Sequence, residues 1–517
     1  MMNIAIVHYH LNRGGVTQVI ANHLRAVDAV VEQGAVERVA LLHGGRQDGW
    51  PDKLPLELKS VEVVVRTIPA LDYDIADAAR PLELARQLES SLDGLGFSPD
   101  KTVLHVHNHA LGKNVSLPGA LGELARSGYG LLLHIHDFPE DFRPDEYRRL
   151  VSTVTPENPG ELPAVLYPQA PQVHYAVLNG RDFSLLKEAG VQSDRLHLLP
   201  NPALGLGSSP SRSAARRTLA KRCNIPLDSR LVLYPVRGIR RKNLGEALLW
   251  SAMAGEKTHF GFTLAPLNPR EQPSYSRWKQ FAESLNLPCT FEIGSRSDLE
   301  FPQIIAAADL LLTTSVAEGF GMVFLESWLN GRPLIGRDLP EITADFVGSG
   351  LRLDRLHSRL LTPVDWIGKD AFHTAMNDAY RHALDSYGRP SPVDLQQKID
   401  ALIEEGLVDF AVLSSAHQRQ IIKAAREDHA SRTRLLEINP WVSAALELNS
   451  EDGETVQRNA RIVREQYSRE VCGRRLLKIY RNVAASRRSK TLQAAKFVER
   501  ILDSFLGLSR FHPIRIE

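Results

Sequence analysis

The stretch that most constrains the fold is residues 315–333, which read SVAEGFGMVFLESWLNGRP. The apolar run IIAAADLLLTT at 304–314 precedes it, a pattern typical of a helix end followed by a short buried strand. Residues 322–330 contain no helix breaker before the Gly-Arg-Pro at 331–333, which predicts a helix of roughly nine residues. The pattern therefore predicts a strand, a turn broken by glycines and a helix.

This turn directs two glutamates toward one place. Glu318 lies in the loop after the predicted strand and Glu326 lies about one turn into the helix, so both can face the same ligand. Gly319 and Gly321 let the backbone approach that ligand, and the unpaired N–H groups of the first helical turn attract an anion such as a phosphate. A carboxylate placed here can bind a ribose diol or a sugar hydroxyl. The alternative is that Glu326 only offsets the helix dipole and the glycines only turn the chain.

These residues resemble the E-x7-E signature of retaining nucleotide-sugar glycosyltransferases with the two-domain GT-B fold. That clan includes glycogen synthases, sucrose-phosphate synthases and bacterial mannosyl- and glucosyltransferases, and it usually reads S-x-x-E-G-F-G-x-x-x-x-E-A-M-A-x-G-x-P-V. The chain keeps the following positions of that pattern: Ser315, Glu318, Gly319, Phe320, Gly321, Glu326, Gly331 and Pro333. It departs from the pattern at 327–329, where Ser-Trp-Leu replaces the small residues that the clan prefers.

Composition agrees with a protein of two or three domains and argues against several other classes. The chain has 517 residues, too many for a single core, with 43% apolar and 24% charged residues. Lys plus Arg number 62 and Asp plus Glu 61, so no excess charge favours nucleic acid or an anionic membrane as a partner. Three scattered cysteines, no signal-like N-terminus and no long apolar run predict a cytoplasmic protein without a membrane span.

The first domain, over residues 1–205, is predicted to be a doubly wound α/β domain. NIAIVHYH at 3–10 is typical of a buried strand, Gly14 and Gly15 belong to a loop, and 16–27 has the pattern of an amphipathic helix. Strand and helix patterns then alternate as far as residue 199, which predicts a parallel sheet. Gly14 and Gly15 resemble the clan's loop close to the donor phosphates, and a plain tight turn is the alternative.

Two predicted strand ends of this domain are rich in polar residues, HVHNHALGKN at 105–114 and HIHDFPED at 134–141. Histidines two apart share one face of a strand, so a metal site must be considered. With no cysteine or H-x3-H motif beside them, we expect no metal and instead polar groups around an α/β active site. The resemblance implies that His136 contacts the transferred sugar. Asp137 beside it is expected to orient the imidazole of His136 or to touch an acceptor hydroxyl. The resemblance also implies that the acceptor side is lined by His107, Asn108, Lys113 and Asn114.

A second α/β domain is predicted over residues 206–485, after a Pro/Ser/Gly-rich linker at 201–211. Its first strand leads into PVRGIRRKN at 235–243, with four cations within six residues just before a helix. The clan carries an arginine followed five residues later by a lysine, both on the donor diphosphate, and Arg237 and Lys242 keep that spacing. Arg240 and Arg241 are alternatives in a shifted register, and a solvated charged face is the other interpretation.

Beyond residue 342 the resemblance weakens. A mostly helical insertion at about 390–450 is predicted either to pack on the second domain or to form a contact between copies in a homo-oligomer. Residues 486–511 are predicted to form one long amphipathic helix, and the segment 486–517 is expected to cross back to the first domain as in GT-B enzymes.

The resemblance implies a hexosyltransferase that moves a sugar from a nucleoside diphosphate sugar to a small polar or phosphorylated acceptor with retention of configuration. Arg237, Lys242 and the helix N-terminus would meet the charge of the leaving diphosphate, so neither a metal nor another cofactor is expected. Glu326 would hold the ribose and Glu318 a sugar hydroxyl. Two rivals remain, a sugar-nucleotide epimerase of the same architecture and a non-catalytic nucleotide-sugar sensor.

Overall fold

The computed structural model describes residues 2–32, 35–74, 78–207, 211–449 and 451–517. The chain divides into two compact units, one made of Met1–Pro202 and Glu465–Gly507 and the other of Ala203–Arg464 and Leu508–Glu517. The sequence predicted domain boundaries at 205/206 and 485/486. In the structure the chain rejoins the first unit at Glu465, whereas the sequence predicted this return at residue 486. Residues 208–210 of the predicted linker lie outside the described residues.

Strands and helices alternate along residues 2–202. The strands are β1 (Met2–Val7), β2 (Val36–His43), β3 (Val63–Thr67), β4 (Thr102–His107), β5 (Gly130–Ile135), β6 (Pro168–Gln169), β7 (Val173–Val177) and β8 (Leu196–Leu198). The helices are α1 (Gly15–Asp28), α2 (Leu54–Glu57), α3 (Pro81–Asp93), α4 (Leu117–Arg126), α5 (Pro144–Val154), α6 (Leu162–Leu166) and α7 (Gly180–Glu188).

The described residues of the first unit contain a parallel sheet with the order β3-β2-β1-β4-β5-β7-β8. Every residue of β1, β4, β5 and β7 is buried, as expected for strands covered by helices on both faces. The chain proceeds from β1 to β2 on one side, and β4 lies on the other side, so the strand order reverses between β1 and β4. Ligands of such sheets bind beyond the carboxyl ends of the strands at this reversal.

The second unit repeats this arrangement over residues 203–464. Its strands are β9 (Arg230–Arg237), β10 (Thr258–Leu264), β11 (Cys289–Thr290), β12 (Leu310–Thr313), β13 (Leu334–Arg337), β14 (Leu356–His357), β15 (Leu361–Pro363), β16 (Ile403–Glu404) and β17 (Leu407–Asp409). Its helices are α8 (Arg212–Cys223), α9 (Leu244–Met253), α10 (Gln272–Ser284), α11 (Ile293–Arg296), α12 (Phe301–Ala307), α13 (Val323–Leu329), α14 (Pro340–Gly348), α15 (Lys369–Ser386), α16 (Leu395–Asp400), α17 (Ser415–Glu427), α18 (His429–Ile438), α19 (Trp441–Leu446) and α20 (Asp452–Gln466).

The main sheet of the second unit has the parallel order β11-β10-β9-β12-β13-β14, so its reversal lies between β9 and β12. A small antiparallel sheet, β15-β17-β16, lies beside the added helices. The two parallel sheets confirm the predicted α/β class with two Rossmann-like domains. The predicted helical segment at 390–450 contains α16 to α19 and the β16–β17 hairpin.

The C-terminal part of the first unit consists of α21 (Arg469–Ala485), β18 (Gln493–Ala494) and α22 (Glu499–Phe505). Helix α21 packs against α1, and β18 pairs with β6. The prediction of one long helix over 486–511 is wrong. Arg488 donates hydrogen bonds to the carbonyl oxygens of Val483 and Ser486, which end α21 in place of another helical turn. No helix among the described residues is both long and apolar enough to cross a bilayer.

Candidate functional site

The loops that follow β9 and β12 lie side by side at the reversal of the second sheet. The backbone N–H of Val316 donates to the carbonyl oxygen of Arg241 at 2.9 Å. The hydroxyls of Tyr234 and Thr314 both donate to the carbonyl oxygen of Lys242, at 2.8 and 2.9 Å. These bonds hold the cation-rich loop against the loop that carries the glutamates.

Glu318 is the anion to which two of these cations bind. Lys242 Nζ donates to its Oε1, and Arg241 Nη1 lies 3.3 Å from its Oε2. Burial on its own would raise the pKa of Glu318, but the charges of Lys242 and Arg241 bring that pKa below its usual value. Burial lowers the pKa of Lys242, and the charge of Glu318 opposes that shift. The structure thus brings the predicted sugar-binding acid into contact with a predicted phosphate-binding cation.

The other two cations of the loop have different surroundings. Arg237 is the last residue of β9 and its side chain is exposed, with one 3.5 Å contact from Nη1 to the carbonyl oxygen of Ala265. Arg240 lies 3.6 Å from the carboxylate of Glu271. Arg237 therefore remains accessible to an anion, whereas Arg240 is already opposed by an acid.

Glu326 lies in the first turn of α13, after the turn that contains Gly321. Gly321 has φ +81°, in the left-handed region where a side chain is strained. Phe320 packs edge-on against Phe346, which anchors the turn in the core. Burial raises the pKa of Glu326 to about 7. Among the described residues no side chain or backbone group pairs with its carboxylate, so its acceptor capacity is available to a ligand.

In the first unit, the loop after β1 carries the predicted glycine pair. Gly14 caps α1 in an extended conformation, and Gly15 is the first residue of that helix. A Cβ at Gly15 would meet no atom within 4 Å, and one at Gly14 would make only an ordinary contact with Asn12. The packing of this unit therefore does not itself require glycine at either position.

Asn108 organises the polar strand ends of the first unit. It has φ +56°, and its Oδ1 accepts hydrogen bonds from the backbone N–H groups of His136 and Asp137 at 2.7 and 3.1 Å. His136 Nε2 lies 2.8 Å from His107 Nδ1. Burial lowers the pKa of His136 to about 4, and Asp137 opposes that shift, so the imidazole is neutral near pH 7. Asp137 also accepts a hydrogen bond from Arg143 at 2.7 Å.

Lys113 and Asn114 are held by neighbouring segments of the same unit. Lys113 Nζ donates to Glu146 at 2.6 Å. The amide of Asn114 is fully buried and donates to the carbonyl oxygens of Ala70 and Asp72. Both residues therefore fix the loop after β4, and their acceptor-binding roles remain predictions.

Two buried residues of these regions carry no sequence motif. Tyr234 follows the apolar pattern of β9 like any core residue, yet its hydroxyl ties the two loops together. His23 belongs to α1 and lies against the histidines of β4 and β5. A histidine on the apolar face of an amphipathic helix was the only signal for it.

Comparison with known proteins finds similarity in sequence to a curated enzyme and similarity in fold to solved structures. No protein-family model matches the chain. Over 461 residues it is 26% identical to the mannosylglucosyl-3-phosphoglycerate synthase of Petrotoga mobilis, with 87% of this chain and 85% of that protein covered. Anabaena HepE, solved in complex with UDP and glucose, has a TM-score of 0.53 at 13% identity and covers 93% of this chain and 100% of its own. The N-terminal domain of Candida albicans trehalose-6-phosphate phosphatase has a TM-score of 0.51 at 12% identity and covers 93% and 97%. At these identities the two solved structures show a shared fold.

Proposed function

We propose that the chain is a glycosyltransferase that moves a hexosyl group from a nucleoside diphosphate sugar to a small polar or phosphorylated acceptor, with retention of configuration. The observation that carries the proposal is the arrangement at the β9/β12 reversal. There an exposed Arg237, the Lys242–Glu318 ion pair and the carboxylate of Glu326, to which no described residue pairs, lie in or directly after the two adjoining loops. The Petrotoga synthase and HepE with its bound UDP support the same class of reaction.

Departure of the nucleoside diphosphate is the step that needs the cations. Negative charge grows on the diphosphate as the anomeric bond breaks, and Arg237 and Lys242 would stabilise it. Lys242 is already held in place by Glu318, so little reorganisation is needed when the charge develops. One such preorganised donor contributes on the order of 3 kcal/mol to lowering a barrier.

The two glutamates would bind hydroxyl groups. Glu326 has no protein partner among the described residues, and its two oxygens suit the two hydroxyls of a ribose. Glu318 keeps its contacts with Lys242 and Arg241 and would accept a hydrogen bond from a hydroxyl of the transferred sugar. Donor recognition and charge neutralisation are then divided between neighbouring residues of the same site.

Retention follows if the acceptor hydroxyl attacks from the face that the diphosphate leaves. The acceptor proton passes to a departing phosphate oxygen, the new glycosidic bond forms and the anomeric carbon–phosphate oxygen bond breaks. The neutral imidazole of His136 would contact the sugar without adding charge. The name of the Petrotoga relative contains a phosphorylated glycerate, which fits the proposed acceptor class.

The proposal is tested by incubating the full chain with UDP-, GDP- and ADP-sugars, with and without a panel of acceptors that includes 3-phosphoglycerate. Nucleotide release is measured, and the glycosylated product is identified by mass spectrometry. Arg237→Ala and Glu326→Ala should each lower kcat/KM at least about tenfold. Arg240→Ala is the matched control, because it removes the same charge from the same loop at a residue already opposed by Glu271.

Three outcomes would reject the proposal. One is the absence of turnover with every donor despite nucleotide binding, which indicates a sensor. Another is conversion of the donor without any acceptor, which indicates an epimerase. The third is that Arg237→Ala and Glu326→Ala behave like the parent.

A further inference from the structure

Four histidines from three elements of the first unit form a cluster under α1. His105 and His107 lie on one face of β4, His134 lies on the same face of β5, and His23 comes from α1. Their rings are 4.3 to 5.8 Å apart between centroids. One nitrogen from each can be chosen so that all four lie within 4.8 Å of one another.

The cluster is fully buried but incompletely hydrogen-bonded. The four side chains are 0 or 1% exposed. Within the described part of the chain, neither ring nitrogen of His23 has a hydrogen-bond partner, and the Nε2 atoms of His107 and His134 have none either. An unpaired polar atom costs free energy in a protein core, where such atoms normally have partners. Packing alone therefore does not explain four imidazoles at this place.

We propose that His23, His105, His107 and His134 bind a Zn²⁺ ion that fastens α1 to β4 and β5. Four nitrogen ligands without a carboxylate suit zinc and its transition-metal neighbours, whereas Mg²⁺ and Ca²⁺ require oxygen ligands. The site lies in the core of the first unit, and its ligand His107 is hydrogen-bonded to His136, the residue proposed above to contact the sugar.

Two further residues orient the ligands. His105 Nδ1 hydrogen-bonds with the hydroxyl of Tyr480 at 2.8 Å, which directs its Nε2 into the cluster. His107 Nδ1 lies 2.8 Å from Nε2 of His136. With the metal on His107 Nε2, His107 Nδ1–H donates to His136 and leaves the proton of His136 on its own Nδ1. Such outer hydrogen bonds are typical of histidine metal sites.

Metal binding requires a small contraction of the cluster. A tetrahedral zinc ion with bonds of about 2.0–2.1 Å places its ligand atoms about 3.4 Å from one another. In the structure the four ring nitrogens lie within 4.8 Å of one another, so they must move closer together to bind the ion. The 3.1 Å hydrogen bond between His105 Nε2 and His134 Nδ1 is exchanged for two metal bonds, with His134 binding through its free Nε2.

The test is the metal content of the full chain, purified without a histidine tag and analysed by inductively coupled plasma mass spectrometry. We expect about one zinc per chain for the parent and at least about tenfold weaker binding for His23→Gln and for His107→Gln. His174→Gln is the matched control, because His174 is also largely buried and paired with another histidine but lies outside the cluster.

A second measurement keeps the result decisive if a variant does not fold. The parent is stripped with a chelator and titrated with Co²⁺, which gives strong visible absorption bands in a four-coordinate nitrogen site. Four-coordinate bands that disappear when Zn²⁺ is added support the site. Zinc-free parent protein together with only the weak spectrum of hydrated Co²⁺ would overturn the proposal, and so would a folded His23→Gln variant that retains its zinc.

Discussion

Lys242 Nζ donates a hydrogen bond to Oε1 of Glu318, and the two residues come from loops after neighbouring strands of the second sheet. Their side chains are 13% and 6% exposed, so the pair is largely removed from water. Arg241 approaches the second carboxylate oxygen from the same loop. The residues best placed to bind a charged ligand are therefore also part of the structural support of the unit.

Removal of Lys242 should destabilise the second unit. Lys242→Ala leaves a buried carboxylate that keeps Arg241 as a cationic partner but loses its closest one, and we expect a loss of about 3 kcal/mol in the free energy of unfolding. The double variant Lys242→Ala/Glu318→Gln should recover part of this loss because the buried carboxylate charge is then removed, and Arg241, which is 35% exposed, remains partly solvated. Lys398→Ala, at the exposed pair with Asp394, is the control and should cost less than about 1 kcal/mol. Urea unfolding measures all three, and equal stabilities would contradict the prediction.

The stability of the second unit should depend on pH through Glu326. Its pKa is raised from 4.5 to about 7, so the folded chain holds this proton more tightly than the unfolded chain does. The stabilising contribution is complete below pH 4.5 and is lost as the pH rises through 7. Between about pH 5 and pH 8, the free energy of unfolding of the parent should fall by about 2 kcal/mol relative to Glu326→Gln. Denaturant titrations at several pH values test this, and parallel curves would show that Glu326 does not titrate in this range.

Asn108 should be difficult to replace, for two separate reasons. Asn108→Ala loses the acceptor for the N–H groups of His136 and Asp137 and also places alanine at φ +56°. Asn108→Gly loses the same hydrogen bonds but tolerates that backbone conformation. We expect costs of about 3 kcal/mol for alanine and about 2 kcal/mol for glycine. Thermal unfolding of the two variants would refute this explanation if alanine were the milder change.

Gly473 is predicted to set the spacing between α21 and α1. A Cβ at this position would lie 2.0 Å from the backbone carbonyl oxygen of Ala26, so Gly473→Ala must push the helices apart. We expect a loss of about 2 kcal/mol or more, typical of an overpacked core. Gly453→Ala in α20 is the control, since its Cβ meets no atom within 4 Å and alanine favours a helix. Differential scanning calorimetry compares them, and similar melting temperatures would contradict the prediction.

Arg337 joins three elements of the second unit and should be essential for its stability. Its buried guanidinium contacts Glu246 of α9 and Asp409 of β17 at 2.7 Å each. Arg337→Met removes the cation that joins the two carboxylates, and we expect a loss of about 4 kcal/mol. Chemical denaturation gives this value. A loss below about 1 kcal/mol would mean that the acids find other partners.

Sequence patterns correctly predicted the elements whose structure is set by a few consecutive residues. The apolar run, the glycines and the Gly-Arg-Pro sequence correctly located β12, the turn at Gly321 and the end of α13, because each rests on backbone preferences of a few residues. The contact between Lys242 and Glu318 joins residues 76 apart in sequence, and it depends on which strands are neighbours. The helix predicted over 486–511 failed because the Arg488 side chain bonds to carbonyl groups that only tertiary structure places within its reach.

Each unit consists of two separate segments of the chain, and this has a consequence for folding during synthesis on the ribosome. His105 of β4 is synthesised 375 residues before Tyr480, the residue to which it hydrogen-bonds. At roughly 5–20 residues per second on the ribosome, that delay is on the order of tens of seconds. During this time the face of the first sheet that α21 will cover stays exposed, and the second unit lacks residues 508–517. A chain that stops near residue 464 would leave both units unfinished, so premature termination there should yield a substrate for chaperones and proteases rather than one folded domain.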